Sequence, residues 1–338
     1  MIQYKGADIQ ELFFQNISEE ESDTEKFIKR NEFSPSEEET LKNIFLKPFA
    51  QAITTYQFKH DIDIDLNVLF SLSKEISQND AIGETYEGVI SHLKTASRHP
   101  NIKPGDLFII RFQNVLMNNE YYNALGIYKI ERKDSFIETS YLGMPVLEFK
   151  EGIGEKKLDK ACLILFDEEP YTVLSIDNGT REAEYWNDFT NIDYKKDHVN
   201  NTNHFLQMTK TFITDQLPEE YELSRTDQID LLNRSIKYFK NNDEFSQQEF
   251  EVEVFEDANA IESFRNFDNQ YQEEMDLDLA DNFKIAQNSV KKQARIFKSI
   301  LKLDKNFHVY IHGNRELIER GTDSDGRKYY KIYYENEA

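Results

Sequence analysis

Cysteine occurs once in this 338-residue chain, which excludes an internal disulfide framework and a Cys-based zinc site. The single thiol, Cys162, lies within Ala161-Cys162-Leu163-Ile164-Leu165-Phe166, where a buried structural role is expected rather than a nucleophile. That segment is also the longest clean apolar run. It falls far short of the roughly 20 residues that span a bilayer, so no membrane partner is expected. The stretch from Met1 to Asp8 lacks the apolar core of a signal peptide, and the expected compartment is the cytoplasm. Phosphate cradles are missing too: Gly152-Ile153-Gly154 has no third glycine of a dinucleotide fingerprint, and there is no P-loop lysine pattern. No Ser-His-Asp or Cys-His arrangement is defensible. No catalytic residue, metal ligand or cofactor is therefore assigned, and the protein is expected not to be an enzyme.

What is present in excess is negative charge. Asp and Glu number 63 against 40 Lys and Arg, a formal net charge of −23. The 25 Phe and 18 Tyr argue against wholesale disorder, and 39 % hydrophobic content suffices for a substantial core, expected in two domains. The sign then reverses near the C-terminus. Between 284 and 333 twelve Lys and Arg face five Asp and Glu, a local +7 that leaves −30 on the rest. Just before it, from Asp243 to Asp281, fourteen acids accompany one base, Arg265.

Period and turn residues predict an α+β first domain over 1–188: helices, then a mostly antiparallel sheet. Ser34-Pro35-Ser36-Glu37 reads as a capping box opening a helix that Pro48 should kink. Further helical patterns cover about 67–76 and 84–98. Strands are expected at 107–112 and 121–130, joined by a turn at Asn118-Asn119, and at 146–149, 161–166 and 171–176. A mainly helical second domain, 189–338, follows, with Ile229, Leu232, Ile236 and Phe239 at near-ideal spacing and a second capping box expected at Ser246-Gln247-Gln248-Glu249. The spacing also predicts a long helix over about 278–302. The chain should close with strands at 307–311 and 327–334, the latter after the turn Asp323-Ser324-Asp325-Gly326, as a short terminal β-hairpin.

On that long helix, Lys284, Lys291, Arg295, Lys298 and Lys302 would form a stripe about 60° wide beside an apolar face. With Lys292 they are the candidate nucleic-acid or partner-binding residues, since such a row can track phosphates without reading sequence. The alternative is an ordinary solvated helix face paired with the preceding acids. Lys94 and Arg98, with His99 and Lys103, are better read as cations at a helix C-terminus. His308 and His312 lie about 13 Å apart on a strand and cannot share a metal unaided; with Tyr310 they should form an outward row. Glu-x-Lys occurs at Glu131-Lys133 and Glu148-Lys150, and with Asp106 the first would make a metal-dependent nuclease site, although chance gives such a pattern in this composition.

The stretch Lys302-Leu303-Asp304-Lys305-Asn306-Phe307-His308-Val309-Tyr310-Ile311-His312-Gly313, continuing through Arg315 to Gly321, resembles the bacterial nucleoid-associated protein family typified by NdpA. Asn123 to Ile130 and Leu158 to Leu165 are similar to that family's middle region, and the order of elements agrees. The resemblance implies location on the nucleoid, with bacterial DNA as a direct or indirect partner. A topoisomerase or another DNA-processing protein could mediate the contact, and a homo-oligomer is open to it. A second hypothesis is an acidic DNA mimic or adaptor using Asp243 to Asp281. The third is a nuclease centred on Asp106, Glu131 and Lys133.

Overall fold

The computed structural model describes residues 2–17, 27–30, 32–79, 83–98, 103–141, 143–155, 158–178, 185–275, 277–294, 297, 300–303, 305–311 and 317–335. The chain divides into two compact units, Met1–Lys195 and Lys196–Ala338.

Unit 1 contains β1 (Ile2–Gln3), β2 (Asp8–Ile17), β3 (Phe27–Arg30), α1 (Pro35–Phe45), β4 (Tyr56–Phe58), α2 (Val68–Gln78), α3 (Gly83–Ala96), β5 (Gly105–Met117) and β6 (Glu120–Ile130). It continues with β7 (Asp134–Tyr141), β8 (Pro145–Gly152), β9 (Lys160–Leu165), β10 (Thr172–Asp177), α4 (Tyr185–Thr190) and β11 (Ile192–Tyr194). A nine-stranded sheet runs β11-β4-β10-β9-β6-β5-β2-β3, with β1 also paired to β5 and every pairing antiparallel. The expected α+β class holds. The helices do not simply precede the sheet, however, because strands flank them on both sides.

Local chemistry explains the elements. Ser34 and Glu37 cap α1 reciprocally, and Pro48 ends it in a 3-10 turn at Lys47–Gln51. Asn118 and Asn119 take φ of 52° and 70°, the left-handed pair that a tight β5–β6 hairpin requires. Both faces of the sheet are covered. Ile109, Ile127, Cys162, Ile164 and Val173 pack beneath α2, α3 and α4, while Ile110, Tyr128, Leu163 and Leu174 meet Phe45 and Phe49 on the opposite side. That two-sided burial is why β9 reads as an unbroken apolar run. Burial pushes the Cys162 thiol well above its ordinary range, so it stays protonated. Among the described residues, β7 and β8 pair only with each other.

Unit 2 contains α5 (His198–Thr211), a π-turn at Phe212–Gln216, α6 (Leu217–Glu220), α7 (Arg225–Asn241), β12 (Glu244–Ser246), α8 (Gln247–Phe255), α9 (Ala258–Glu274), β13 (Asn282–Lys284) and α10 (Gln287–Gln293). Two hairpins follow: β14 (Ile300–Leu303) with β15 (Phe307–Tyr310), and β16 (Ile318–Thr322) with β17 (Lys328–Ile332). A cluster of aromatics that includes Phe205, Phe212, Phe245, Phe250 and Phe264 forms the helical core.

Two expectations fail here. The long helix over 278–302 does not form. Phe283 pairs with Phe245 between β12 and β13, their rings stacked at 4.6 Å, and alternation at Leu301-Lys302-Leu303 makes a strand. Nor does the Ser246-Glu249 capping box close. The Tyr238 hydroxyl accepts from the Ser246 N–H (3.1 Å) and donates to its carbonyl (3.2 Å), so the group that Glu249 would cap is already satisfied.

Candidate nucleic-acid and partner interface

The described candidate cations lie on three separate elements of unit 2. Lys284 ends β13, exposed and directly across from Glu244. Lys291 projects from α10 into solvent, and Lys292 beside it is half-buried and engaged. Lys302 lies on β14, opposite His308 of β15. Arg295 and Lys298 lie outside the described residues. Lys284, Lys291 and Lys302 are at the surface as expected of a solvated row, but the described candidates lie on a strand, a short helix and a hairpin rather than along one helix.

The terminal hairpins add groups that the helical reading passed over. Pairing puts Lys302, His308 and Tyr310 on one exposed face of β14–β15, while Leu301 and Ile311 are buried against Ile229 of α7. The outward row expected for His308 and Tyr310 is present, and His312 lies outside the described residues. Lys305, Arg320 and Lys328 are exposed as well. Among the described residues, no carboxylate lies within salt-bridge distance of Lys284, Lys291, Lys302, Lys305, Arg320 or Lys328. Two other described cations are compensated: Lys331 pairs with Glu319 at 3.6 Å and lies 4.6 Å from the Tyr333 ring centre, and Arg327 pairs with Asp325 at 2.6 Å. Gly326, at φ +85°, donates to Asp323 and closes the expected turn. Cations interleaved with Tyr and His suit phosphate and base stacking alike.

The acidic block is built differently. Its one base, Arg265, makes a two-pronged contact with Glu251, whose side chain is buried. Gln247 and Gln272 donate to the buried Asp268, whose carboxyl burial pushes up. Glu253, Glu262, Glu273, Glu274 and Asp281 are left on the surface.

The nuclease trio does not converge. Asp106 accepts from Asn16 at 2.6 Å and pairs with Lys133 at 2.7 Å, while Glu131 turns to Lys129 at 3.2 Å and the Tyr185 hydroxyl. Lys150 is held by Glu138 and Glu148 on the β7–β8 hairpin. Among the described residues, no three His, Cys, Asp or Glu side chains are grouped to hold a metal ion.

Sequence reasoning missed a buried charged row across unit 1. Lys129 of β6 and Lys160 of β9 are cross-strand partners, each about 1 % exposed, and Asp177 of β10 stands opposite Lys160. Tyr185, the first residue of α4, lies over both ammonium groups, 4.6 and 5.1 Å from its ring centre. Lys129 also donates to the Lys103 carbonyl at 2.9 Å. Burial lowers the Lys129 pKa, with Glu131 opposing that shift, and burial drives the Tyr185 hydroxyl far up. Each lysine of this row has a carboxylate partner, Glu131 for Lys129 and the exposed Asp177 for Lys160, and the arrangement is that of a structural network.

Among the described residues, no helix is long and apolar enough to cross a membrane. The fold and surface thus define a two-unit α+β protein whose distinctive chemistry is displayed charge. The chain belongs to the family described as nucleoid-associated protein YejK, whose model it matches over residues 14–328. No individual curated protein matches it. Family membership carries a nucleoid-associated role, in agreement with the resemblance read from the sequence.

Proposed function

We infer that the protein associates with the nucleoid without catalysis, through the cationic surface of its C-terminal unit. Lys284, Lys291 and Lys302 are its described electrostatic contacts, and Lys292, Arg295 and Lys298 complete the set. The observation that carries this reading is the run of outward cations without a carboxylate partner among the described residues. The ligand is DNA phosphate, contacted weakly, or the acidic surface of a DNA-bound protein such as a topoisomerase. The −30 carried by the rest of the chain opposes tight coating of DNA.

The triple variant K284E/K291E/K302E tests the reading in a nucleoid co-fractionation assay with and without DNase. The expected result is loss from the nucleoid fraction with the fold intact. Undiminished co-fractionation refutes it. Direct contact through about three to five phosphates gives a slope of roughly −3 to −4.5 in log affinity against log salt; a flat profile instead assigns the contact to a protein partner.

One observation favours a second reading, a DNA mimic acting on a basic DNA-processing enzyme. Arg265 is committed to Glu251, leaving the outer carboxylates of α8 and α9 without an internal base from their own block. On this reading added DNA displaces the bound enzyme, and failure of displacement excludes it.

A further inference from the structure

We propose that the β7–β8 hairpin is a dimerisation arm, and that its apolar face is covered in solution by the same face of a second copy of this chain. The register separates its side chains into two unlike faces. One carries Phe136, Glu138, Glu148 and Lys150, with Lys150 ion-paired to both glutamates, an arrangement suited to water. The other carries Ile137 opposite Phe149, Thr139 opposite Leu147 and Tyr141 opposite Pro145. Along this central stretch it bears no charge, on a chain whose net charge is −23.

These side chains are open to solvent: Ile137 54 %, Leu147 57 %, Phe149 78 % and Tyr141 81 %, with Met144 at the turn 66 %. At ~150–250 Å² per large side chain they present roughly 500–700 Å² of apolar surface. That spans the upper end of the range for the largest patch on an ordinary monomer, about 300–600 Å². An isolated two-stranded hairpin is also marginal in water without a covered apolar face. Among the described residues the sheet offers no such cover, because neither β7 nor β8 pairs with any other strand.

A second copy fits on area and on symmetry. Two such faces together remove roughly 1,000–1,400 Å², the size at which specific interfaces begin. A two-fold axis through the Thr139–Leu147 pair sets Ile137 and Phe149 of one copy against Tyr141 and Pro145 of the other. Each contact is then made twice, as an isologous interface requires. Two strongly anionic chains repel, and this uncharged face is a place where they approach without juxtaposing like charges.

Sedimentation velocity on the full chain, from about 1 to 100 µM, tests the proposal, an interface of this size being expected to bind in the micromolar range. The wild type should reach twice the monomer mass. L147E/F149E should remain monomeric throughout with an unchanged Trp186 unfolding curve. E138S/E148S, altered only on the wet face, should still dimerise. In a second measurement, Thr139→Cys should cross-link as a dimer under mild oxidation, because the native Cys162 is fully buried and cannot contribute. A wild type that is monomeric at the highest concentration overturns the proposal and assigns the face to a different protein. Dimers that survive L147E/F149E, or a T139C chain that never cross-links, overturn it as well.

Discussion

Replacing Glu131 by alanine should damage unit 1 far more than replacing the lysine it serves. Glu131 accepts from Lys129 at 3.2 Å and from the Tyr185 hydroxyl, and the Lys129 side chain is only 2 % exposed. Without the carboxylate, the direct contacts left to the buried ammonium among the described residues are the Lys103 carbonyl and the Tyr185 ring and hydroxyl. Breaking a buried pair from one side costs about 3–5 kcal/mol; with those partners retained, E131A should lose about 2–4 kcal/mol. K129M removes the ion itself, keeps most of the volume and relieves repulsion from Lys160 across the β6–β9 pair, so its loss should stay below about 1.5 kcal/mol. The assay is urea unfolding followed by Trp186, the only tryptophan, fully buried one residue from Tyr185. It therefore reports on unit 1 alone. The pH dependence gives an independent check. Burial lowers the folded Lys129 pKa below its ordinary 10.5, and Glu131 works against that shift. Between the lowered value and 10.5 the unfolded chain binds the extra proton, so stability rises with pH across that window. E131A widens the window, and its deficit should shrink between pH 7 and pH 10. A K129M loss equal to or larger than that of E131A, or an E131A deficit that grows with pH, refutes the reasoning.

Two further substitutions probe packing and burial. Gly126→Ala places a Cβ 2.3 Å from the Tyr128 hydroxyl and 2.5–2.7 Å from its ring atoms, in a fully buried site walled by Phe45 and Phe49, and should cost about 1–3 kcal/mol in the same unfolding assay; a loss under about 0.5 kcal/mol would count against it. Asp268→Asn removes a carboxyl whose pKa burial raises. A raised carboxyl pKa means that the folded state holds the proton longer, so the wild type loses stability as pH rises through that value. D268N should therefore be the more stable chain at pH 7, with the gap closing by pH 4 in urea melts monitored by circular dichroism; a gap that widens on acidification contradicts it.

The parts of the fold written locally were legible. The capping box at Ser34, the break at Pro48, the Asn118-Asn119 turn and the helical spacing of Ile229, Leu232, Ile236 and Phe239 each need only near neighbours in the chain. β2 escaped because its pattern is interrupted. The register slips between Ile9 and Glu11, and Glu11 and Gln15 are polar yet buried, Glu11 accepting from the Tyr86 hydroxyl 75 residues away. The helix expected over 278–302 failed for a related reason. Phe283 satisfies a helical period numerically, but its partner is Phe245, reached only by pairing β13 with β12. For the interface, charge content pointed to Lys284, Lys291 and Lys302, whereas their distribution over a strand, a short helix and a hairpin depends on contacts outside the segment. The buried Lys129–Lys160 row left one trace, lysines at the edge of apolar strands. Nothing nearby indicates that Tyr185 covers both.

Strand order has a consequence for biosynthesis. β2 leaves the ribosome ahead of β5 with Ile9, Leu12, Phe13 and Ile17 destined for burial, and its described neighbours include β5, at Gly105–Met117. At about 5–20 residues per second, some 90 further residues take roughly 5–20 s to emerge, and during that delay an apolar strand waits beside an anionic nascent chain without its main partner. Slower elongation lengthens the delay, which makes the early peptide, rather than the finished molecule, the stage at which a chaperone has most to do.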